Sequence, residues 1–418
     1  MPRQGVRKTM TIGVAFIAGL LTFSLVLYPE QALDAAVEGM RVFWEIVFPS
    51  LLPFFVLSEV MLGLGLVHFL GVLLEPLMRP VFNVPGVGAF ALSMGLAAGY
   101  PMDAVITGKF RRKGLCPRVE GERLLAFTNT ADPLFIFGAV AVGMFGLARL
   151  GIILGVAHYL SSFTVGFIFR FYRRGEEGVE IRAEAADSGV LRRAVRALLR
   201  ARREDGRPLG ELLGHAVRES VGTLLMICGF IMLFSVLVRI FTVVGAMRLI
   251  APLATGILNV LGLSPALVPA FLRGLLEIDL GTVAAGKAAA PLIQRAVAAS
   301  AVIAWSGLSV HGQVASVLNG TDIRMGPYVL ARFLHAAIAG FYTYLLFLFM
   351  PLGSAGAFAP SAARALAGLG LIRRFIIGGW QMAICFLMLL GMAGLAHLAR
   401  RYRLVRLRPA PATGRPAR

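Results

Sequence analysis

Cysteine is scarce in this chain, with three in 418 residues. Cys116, Cys228 and Cys385 lie far apart and form no C-x-x-C pair, so neither a disulfide framework nor a zinc site is indicated. Charge is scarce as well, at 15% of residues, and acids most of all: 22 Asp and Glu stand against 41 Lys and Arg. A soluble domain carries roughly a quarter charged residues. There is no H-E-x-x-H zinc signature and no G-x-S-x-G nucleophile elbow, and the acids within apolar segments form no recognisable catalytic motif, which argues against an enzyme.

What is abundant is apolar surface: 58% hydrophobic residues and a mean hydropathy of +0.79. Runs of ~18 or more apolar residues, each enough to cross a hydrocarbon core ~30 Å thick, recur along nearly the whole length. The composition predicts an all-α integral membrane protein with no large soluble domain. The net charge of +19 sits in short segments between these runs, where the positive-inside rule puts it, and is not read as a nucleic-acid surface. The lipid bilayer is the first expected partner.

Charge then sets the path of the chain. Arg3, Arg7 and Lys8 hold the N-terminus inside, and the apolar run to Tyr28, lacking a small-x-small cleavage site, reads as an uncleaved span. Glu30, Asp34 and Glu38 suit an outer loop, and Trp44 to about Leu66 returns inward. Arg79 and the cluster Lys109, Arg111, Arg112, Lys113, Arg118 and Arg123 are both expected inside. The apolar run from Gly86 to Thr107 between them therefore enters and leaves by one face, as a re-entrant hairpin with Gly99 and Pro101 at its tip.

Crossings at about 124–145 and 147–169 lead to the basic segment 171–214, with a short amphipathic helix near 191–199. A solvated cytoplasmic linker is the plain reading of that segment, and a lipid-headgroup or regulatory contact is the alternative. The second half then repeats the first. Pro76 to Gly86 reads PLMRPVFNVPG and Pro252 to Gly262 reads PLATGILNVLG; Gly108-Lys109 matches Gly286-Lys287, and Thr128 falls opposite Ser306. Spans at about 215–240, 296–318, 328–349 and 372–398 and a second hairpin at about 263–285 complete about eight transmembrane helices plus two re-entrant hairpins, the repeats inverted relative to each other. The expected units are 1–43, a first repeat 44–170, the linker 171–214, a second repeat 215–350 and a C-terminal span with a basic tail, 351–418. Arg364, Arg373 and Arg374 fall on the outer side in this scheme, against the rule.

Inverted repeats with broken helices are an architecture of secondary transporters, and broken backbone at membrane depth must line a cavity or be buried in protein. Two breaks stand out. In LAFTNTADPLFIFG, Thr128, Asn129, Thr130 and Asp132 interrupt an apolar run just before Pro133, which suits a half-helix capped by Asp132 or Thr130 whose N–H groups face an anion. The plainer reading is a kinked helix whose polar residues cap the kink. In AWSGLSVHGQVAS, Ser306, Ser309, His311 and Gln313 form the equivalent interruption. The hairpins add Gly99, Tyr100 and Asp103, then Arg273, Glu277 and Asp279; carboxylates at membrane depth are costly and usually functional or paired. Gly99, Tyr100, Thr128, Asn129, Thr130, Arg273, Ser306, His311 and Gln313 are the candidate substrate-binding residues, and Asp103, Asp132, Glu277 and Asp279 the candidates for coupling or gating. Arg273 and Glu277, four residues apart, could instead form an ion pair. Lys109 and Lys287 suit snorkelling. No metal or cofactor is called for, and a coupling proton or sodium ion is left open.

FPSLLPFFVLSE (Phe48 to Glu59), GLAAGYPMDA (Gly95 to Ala104) and TNTADPLFIFGAV (Thr128 to Val140) resemble a family of sporulation integral membrane proteins within the wider nucleoside-recognition, or Gate, group. The resemblance covers roughly residues 43–349. It implies a transporter of dipicolinate, pyridine-2,6-dicarboxylate, out of the mother cell across the outer forespore membrane. A planar dianion is compatible with helix N-termini, hydroxyls, Asn129 and a nearby Arg, while Asp132 and Glu277 would repel it unless protonated or occupied by a cation. A carrier of another small solute, such as a nucleoside, and a non-transporting scaffold for spore development are the competing readings. Homo-oligomerisation is not decided by the sequence.

Overall fold

The computed structural model describes residues 15–16, 18–173 and 190–349, so the expected last span and basic tail lie outside the described residues, while the described part of the first span holds a short apolar helix, Ala18–Leu27. Among the described residues every regular element is helical. In chain order they are α1 (Pro29–Val42), α2 (Phe48–Gly63), α3 (Leu66–Phe82), α4 (Gly88–Ala98), α5 (Met102–Arg112), α6 (Arg118–Thr128), α7 (Leu134–Met144), α8 (Leu150–Phe169), α9 (Val190–Asp205), α10 (Leu209–Val243), α11 (Ala246–Val260), α12 (Val268–Leu276), α13 (Ile278–Lys287), α14 (Leu292–Trp305), α15 (Gly307–Val317) and α16 (Met325–Phe349). A π-helical stretch, Phe43–Val47, joins α1 to α2, and α7 is itself π-helical.

Laid side by side, the elements fall into two runs of the same order. The long helix α1–α2 corresponds to α10, the helix after a left-handed glycine (Gly65, φ 80°; Gly245, φ 78°) is α3 or α11, and the hairpins are α4–α5 and α12–α13. The broken helices are α6–α7 and α14–α15, and the closing helices α8 and α16. Packing partners exchange in the same way. Each hairpin's second helix packs on the other run's broken helix, α5 on α15 and α13 on α7, and each broken helix's first half packs on the other run's closing helix, α6 on α16 and α14 on α8.

Corresponding long helices lie antiparallel. Gly39 of α1 sits against Met232 and Ser235 of α10, while Gly63 of α2 sits against Leu212. Likewise Phe169, at the end of α8, shares an apolar cluster with Ala331 near the start of α16, and Leu150, at the start of α8, shares one with Phe347 near the end. Glycines at these crossings let backbones approach closely, which is how helices associate where lipid supplies no hydrophobic drive.

Several sequence expectations are corrected. Residues 29–41, expected as an outer loop, lie in helix α1, because Pro29 starts a helix well and Ala, Leu and Glu sustain it against α10. The segment containing Arg79 is helix α3, bent 83° from α2, and its counterpart α11 was also not expected. The span expected at 124–145 begins six residues earlier and is broken in two. Among the described residues four helices are long and apolar enough to cross a membrane, or five if the bent pair of α2 and α3 counts as one, against the about eight expected for the whole chain. The amphipathic helix near 191–199 runs over Val190–Asp205 and packs on α3.

At one end of the molecule, polar side chains tie the helices together. Arg79 bridges Glu75 and Glu120 at 2.7 Å each, Arg324 holds Glu122 at 2.8 Å, and Arg111 grips Asp322 through both carboxylate oxygens. Buried Arg123 donates to the Tyr172 and Asn83 carbonyls at 2.9 and 3.0 Å. Lys109, expected to snorkel, pairs with Glu59, whereas Lys287 is exposed.

Candidate functional site

The break between α6 and α7 is the centre of a buried polar network. Asn129 ends α6 in an extended conformation (φ −75°, ψ 92°), and Pro133, which has no N–H, precedes α7. The freed backbone groups must then find partners elsewhere, since none can be left bare at this depth. They do. Arg332 of α16, wholly buried, donates to Ala126 O at 2.6 Å and to Asn129 O. His158 Nε2 accepts from Ala131 N at 3.0 Å, and Tyr159 donates to Ala131 O at 3.1 Å. Asp132 Oδ1 accepts from Phe135 N at 2.9 Å and so caps the entry to α7.

The side chains of the break turn toward the first hairpin. Asp103 of α5, wholly buried, accepts from Asn129 Nδ2 at 2.7 Å and from Thr128 Oγ1 at 3.1 Å. Tyr328 of α16 donates to Asn129 Oδ1 at 2.9 Å. Thr130 Oγ1 turns back to Thr128 O at 3.4 Å. The hairpin tip itself rests on the break: Gly99 has φ 71°, and a Cβ there would meet Asp132 Oδ2 at 2.8 Å and Asp132 N at 3.0 Å.

The second break mirrors this contact. Ser306, left-handed at φ 69°, separates α14 from α15, and a Cβ on Gly307 would meet Glu277 of the second hairpin's tip at 3.0 Å. Trp305 Nε1 donates to Leu275 O at 3.1 Å. His311 Nδ1 donates to Gly307 O at 2.8 Å, and Gln313 Nε2 donates to Ser309 Oγ at 3.4 Å. The two breaks are linked by tyrosines: Tyr100, from the first hairpin's tip, donates to Ile303 O at 2.9 Å, and the Tyr328 ring lies 5.1 Å from that of His311. Arg332 also sits over the Tyr328 ring, 5.7 Å from its centroid.

Thus Gly99, Tyr100, Asp103, Thr128, Asn129, Thr130, Asp132, Ser306, His311 and Gln313 gather around the two breaks. Arg273, Glu277 and Asp279 point elsewhere. They line a cavity of about 460 Å³ with Asp34, Glu38 and Arg239, between α1, the second half of α10 and the second hairpin. Among the described residues no ion pair joins Arg273 to Glu277. The chain at Glu277 is extended (φ −147°, ψ 130°), which destroys the helical four-residue register, and its carboxylate caps α13 instead, at 2.9 Å from Leu280 N. A smaller cavity of about 290 Å³, lined by Lys109, Arg112, Arg218 and Glu219, lies against the first half of α10.

Tyr328, Arg332, His158 and His335 were missed from the sequence. Tyr328, Arg332 and His335 share the largely apolar α16 and His158 lies in α8, and an ionisable group at membrane depth is itself the signal that could have found them. Among the described residues His158 Nδ1 and His335 Nδ1 lack a partner, and so do two nitrogens nearer the breaks, Arg332 Nε and His311 Nε2. Both belong to side chains packed on Tyr328, so the site retains spare N–H and lone-pair capacity between the breaks. A buried guanidinium with an unused donor, flanked by hydroxyls and an amide, is equipped to receive a carboxylate.

Residues 44–159 match the family described as nucleoside recognition, or Gate, a stretch that takes in the first hairpin and the first break. No solved structure matches the chain. The sporulation integral membrane protein YlbJ of Bacillus subtilis (strain 168) is 44% identical to it over 339 residues, 81% of this chain and 83% of that protein. Identity of that extent carries through both runs of helices, and the chain belongs to the YlbJ family of sporulation integral membrane proteins.

Proposed function

We propose that the protein is a secondary-type carrier for a small organic anion, with dipicolinate as its cargo, moved across the outer forespore membrane by alternating access. One observation carries this reading: two helix breaks, one from each half of the chain, meet around Tyr100, Tyr328 and the buried Arg332, whose Nε has no partner among the described residues. A planar dicarboxylate offers what those groups lack. The guanidinium takes one carboxylate, and the hydroxyls and amide of Thr128, Asn129 and Tyr328 exchange their present bonds to Asp103 and to one another for bonds to the cargo.

The antiparallel packing of α1–α2 on α10 and of α8 on α16 supports the inverted orientation that such a mechanism needs, because a rotation that exchanges the halves then also exchanges the two faces of the membrane. With hairpin tips resting on both breaks, movement of either hairpin opens the site to one side. The polar network in this closed arrangement is shut from both.

The test is flux of labelled dipicolinate into proteoliposomes, at several pH values and sodium concentrations. The wild-type chain is expected to give saturable flux, while Thr128→Val and Asn129→Ala proteins that remain monodisperse in detergent lose most of it. Normal flux by both variants removes the site. The description of the matched family as nucleoside recognition favours a second cargo. Competition separates the two: inhibition by dicarboxylates but not by nucleosides supports the anion.

A further inference from the structure

The imidazole that holds the first break has a companion. His158 of α8 and His335 of α16 meet where these corresponding helices cross, with ring centroids 4.6 Å apart and planes tilted by 37°. Solvent reaches neither: His158 is 1% exposed and His335 0%.

Their hydrogen bonds fix the protons. A backbone N–H only donates, so His158 Nε2, 3.0 Å from Ala131 N, is an acceptor and carries no hydrogen; the proton of that neutral ring sits on Nδ1. A carbonyl only accepts, so His335 Nε2, 2.9 Å from His158 O, is the protonated nitrogen, and His335 Nδ1 keeps its lone pair. Among the described residues neither Nδ1 has a partner. The pair therefore carries one proton on each ring and offers a single further site, the lone pair of His335 Nδ1.

We propose that His158 and His335 form a proton-binding site that is filled together with the anionic cargo; the inference rests on the transport reading above and names its coupling ion. Charge balance is the argument. Arg332 lies three residues before His335 on α16, and its guanidinium is bound to carbonyls. A second positive charge on His335 would face it without compensation. The other groups on the packed elements do not supply that compensation. Tyr159 of α8 and Tyr328 of α16 are hydroxyls, the single charge of Asp103 matches no more than that of Arg332, and Asp132 caps α7. Arg295 of α14 lies at the far end of its helix on the Phe145 ring. Without a bound anion the pair is thus expected to lack the extra proton.

A dicarboxylate seated on Arg332 reverses this. One carboxylate neutralises the guanidinium and the second is left to stabilise an imidazolium, so cargo and proton each raise the affinity for the other, by the same factor.

The experiment uses the purified full chain in detergent near neutral pH, with dipicolinate titrated by calorimetry in buffers of different ionisation enthalpy. The wild-type protein is expected to take up about one proton per anion bound. His335→Gln, whose amide still donates to His158 O, is expected to bind dipicolinate with that uptake abolished, and His335→Asn serves as the second variant if the first does not fold. Binding by the wild-type chain without proton uptake, or unchanged uptake by the variant, overturns the proposal. Failure of the transport reading is a different result, the absence of any binding heat. That result overturns the proposal together with the reading on which it rests, whereas binding without proton uptake overturns the proposal alone.

Discussion

Arg332 and Asp322 show how differently two charged residues of one chain are held. Arg332 is wholly buried and supplies two carbonyls, Ala126 O and Asn129 O, that the broken helix α6 cannot satisfy itself. Arg332→Met leaves both acceptors bare, at 1–3 kcal/mol for each unsatisfied buried group, so a loss of about 3 kcal/mol is expected in detergent melting, together with loss of dipicolinate flux. Asp322 lies in the loop after α15, largely exposed, and the Arg111 guanidinium holds its carboxyl below the usual carboxylate range. Because the folded value is depressed, the pair's contribution is present above the unfolded value near 4 and disappears as the pH falls through the folded one. Asp322→Asn is therefore expected to cost about 0.5 kcal/mol at neutral pH and nothing measurable once the wild-type carboxylate is protonated, with melting curves at the two pH values as the check. Asp103, Asn129 and Asp132 were legible in the sequence because they cluster and sit beside Pro. Arg332 and the two histidines were not, because a few scattered polar residues leave helices of 20 and 25 residues apolar on average, and the importance of Arg332 comes from a partner 206 residues away.

At the scale of elements, the hairpins and breaks work as paired contacts, tip against break in each half. Gly99 (φ 71°) abuts Asp132, and Gly307 (φ 77°) abuts the backbone of Leu276 and Glu277. A side chain at either position meets a steric obstacle and an unfavourable dihedral together, and at Gly307 the obstacle is backbone that cannot swing away. Gly307→Ala is accordingly expected to lower stability by about 1–3 kcal/mol and to uncouple the second hairpin from its break, whereas Gly229→Ala in α10, where a Cβ meets nothing within 4 Å, leaves melting unchanged or slightly raises it. Equal effects of the two substitutions would mean that the tip-to-break contact carries no structural weight. The breaks could be read from sequence because Pro and Gly interrupt an apolar pattern at fixed places. Helices α3 and α11 could not, since Pro76, Pro80 and Pro252 read locally as breakers, while the helical backbone around them is stabilised by packing against the hairpins that follow.

For the whole molecule, the decisive property is the sense of the two halves. The repeat was visible in PLMRPVFNVPG and PLATGILNVLG, and the basic loops argued for inversion, but no local pattern gives the number of crossings once spans are bent or broken, which is why fewer uninterrupted spans are found than the apolar runs suggested. The antiparallel contacts of Gly39 with Ser235 and of Gly63 with Leu212 constrain the answer further. If α2 carries the chain toward the cytoplasm, α10 must carry it away, and the loops that close the two hairpins, after α5 and after α13, come out on opposite faces. Lys113, in the first of these loops, and Lys287, at the end of α13, are both exposed and report those faces. In a chain whose Cys116, Cys228 and Cys385 are replaced by Ser, a membrane-impermeant maleimide applied to sealed vesicles of defined orientation is expected to label Lys113→Cys from the cytoplasmic side alone and Lys287→Cys from the opposite side alone. Labelling of both from one side would place the hairpins in the same leaflet, where rocking one half against the other cannot pass a cargo from face to face, and the carrier mechanism would have no geometric basis.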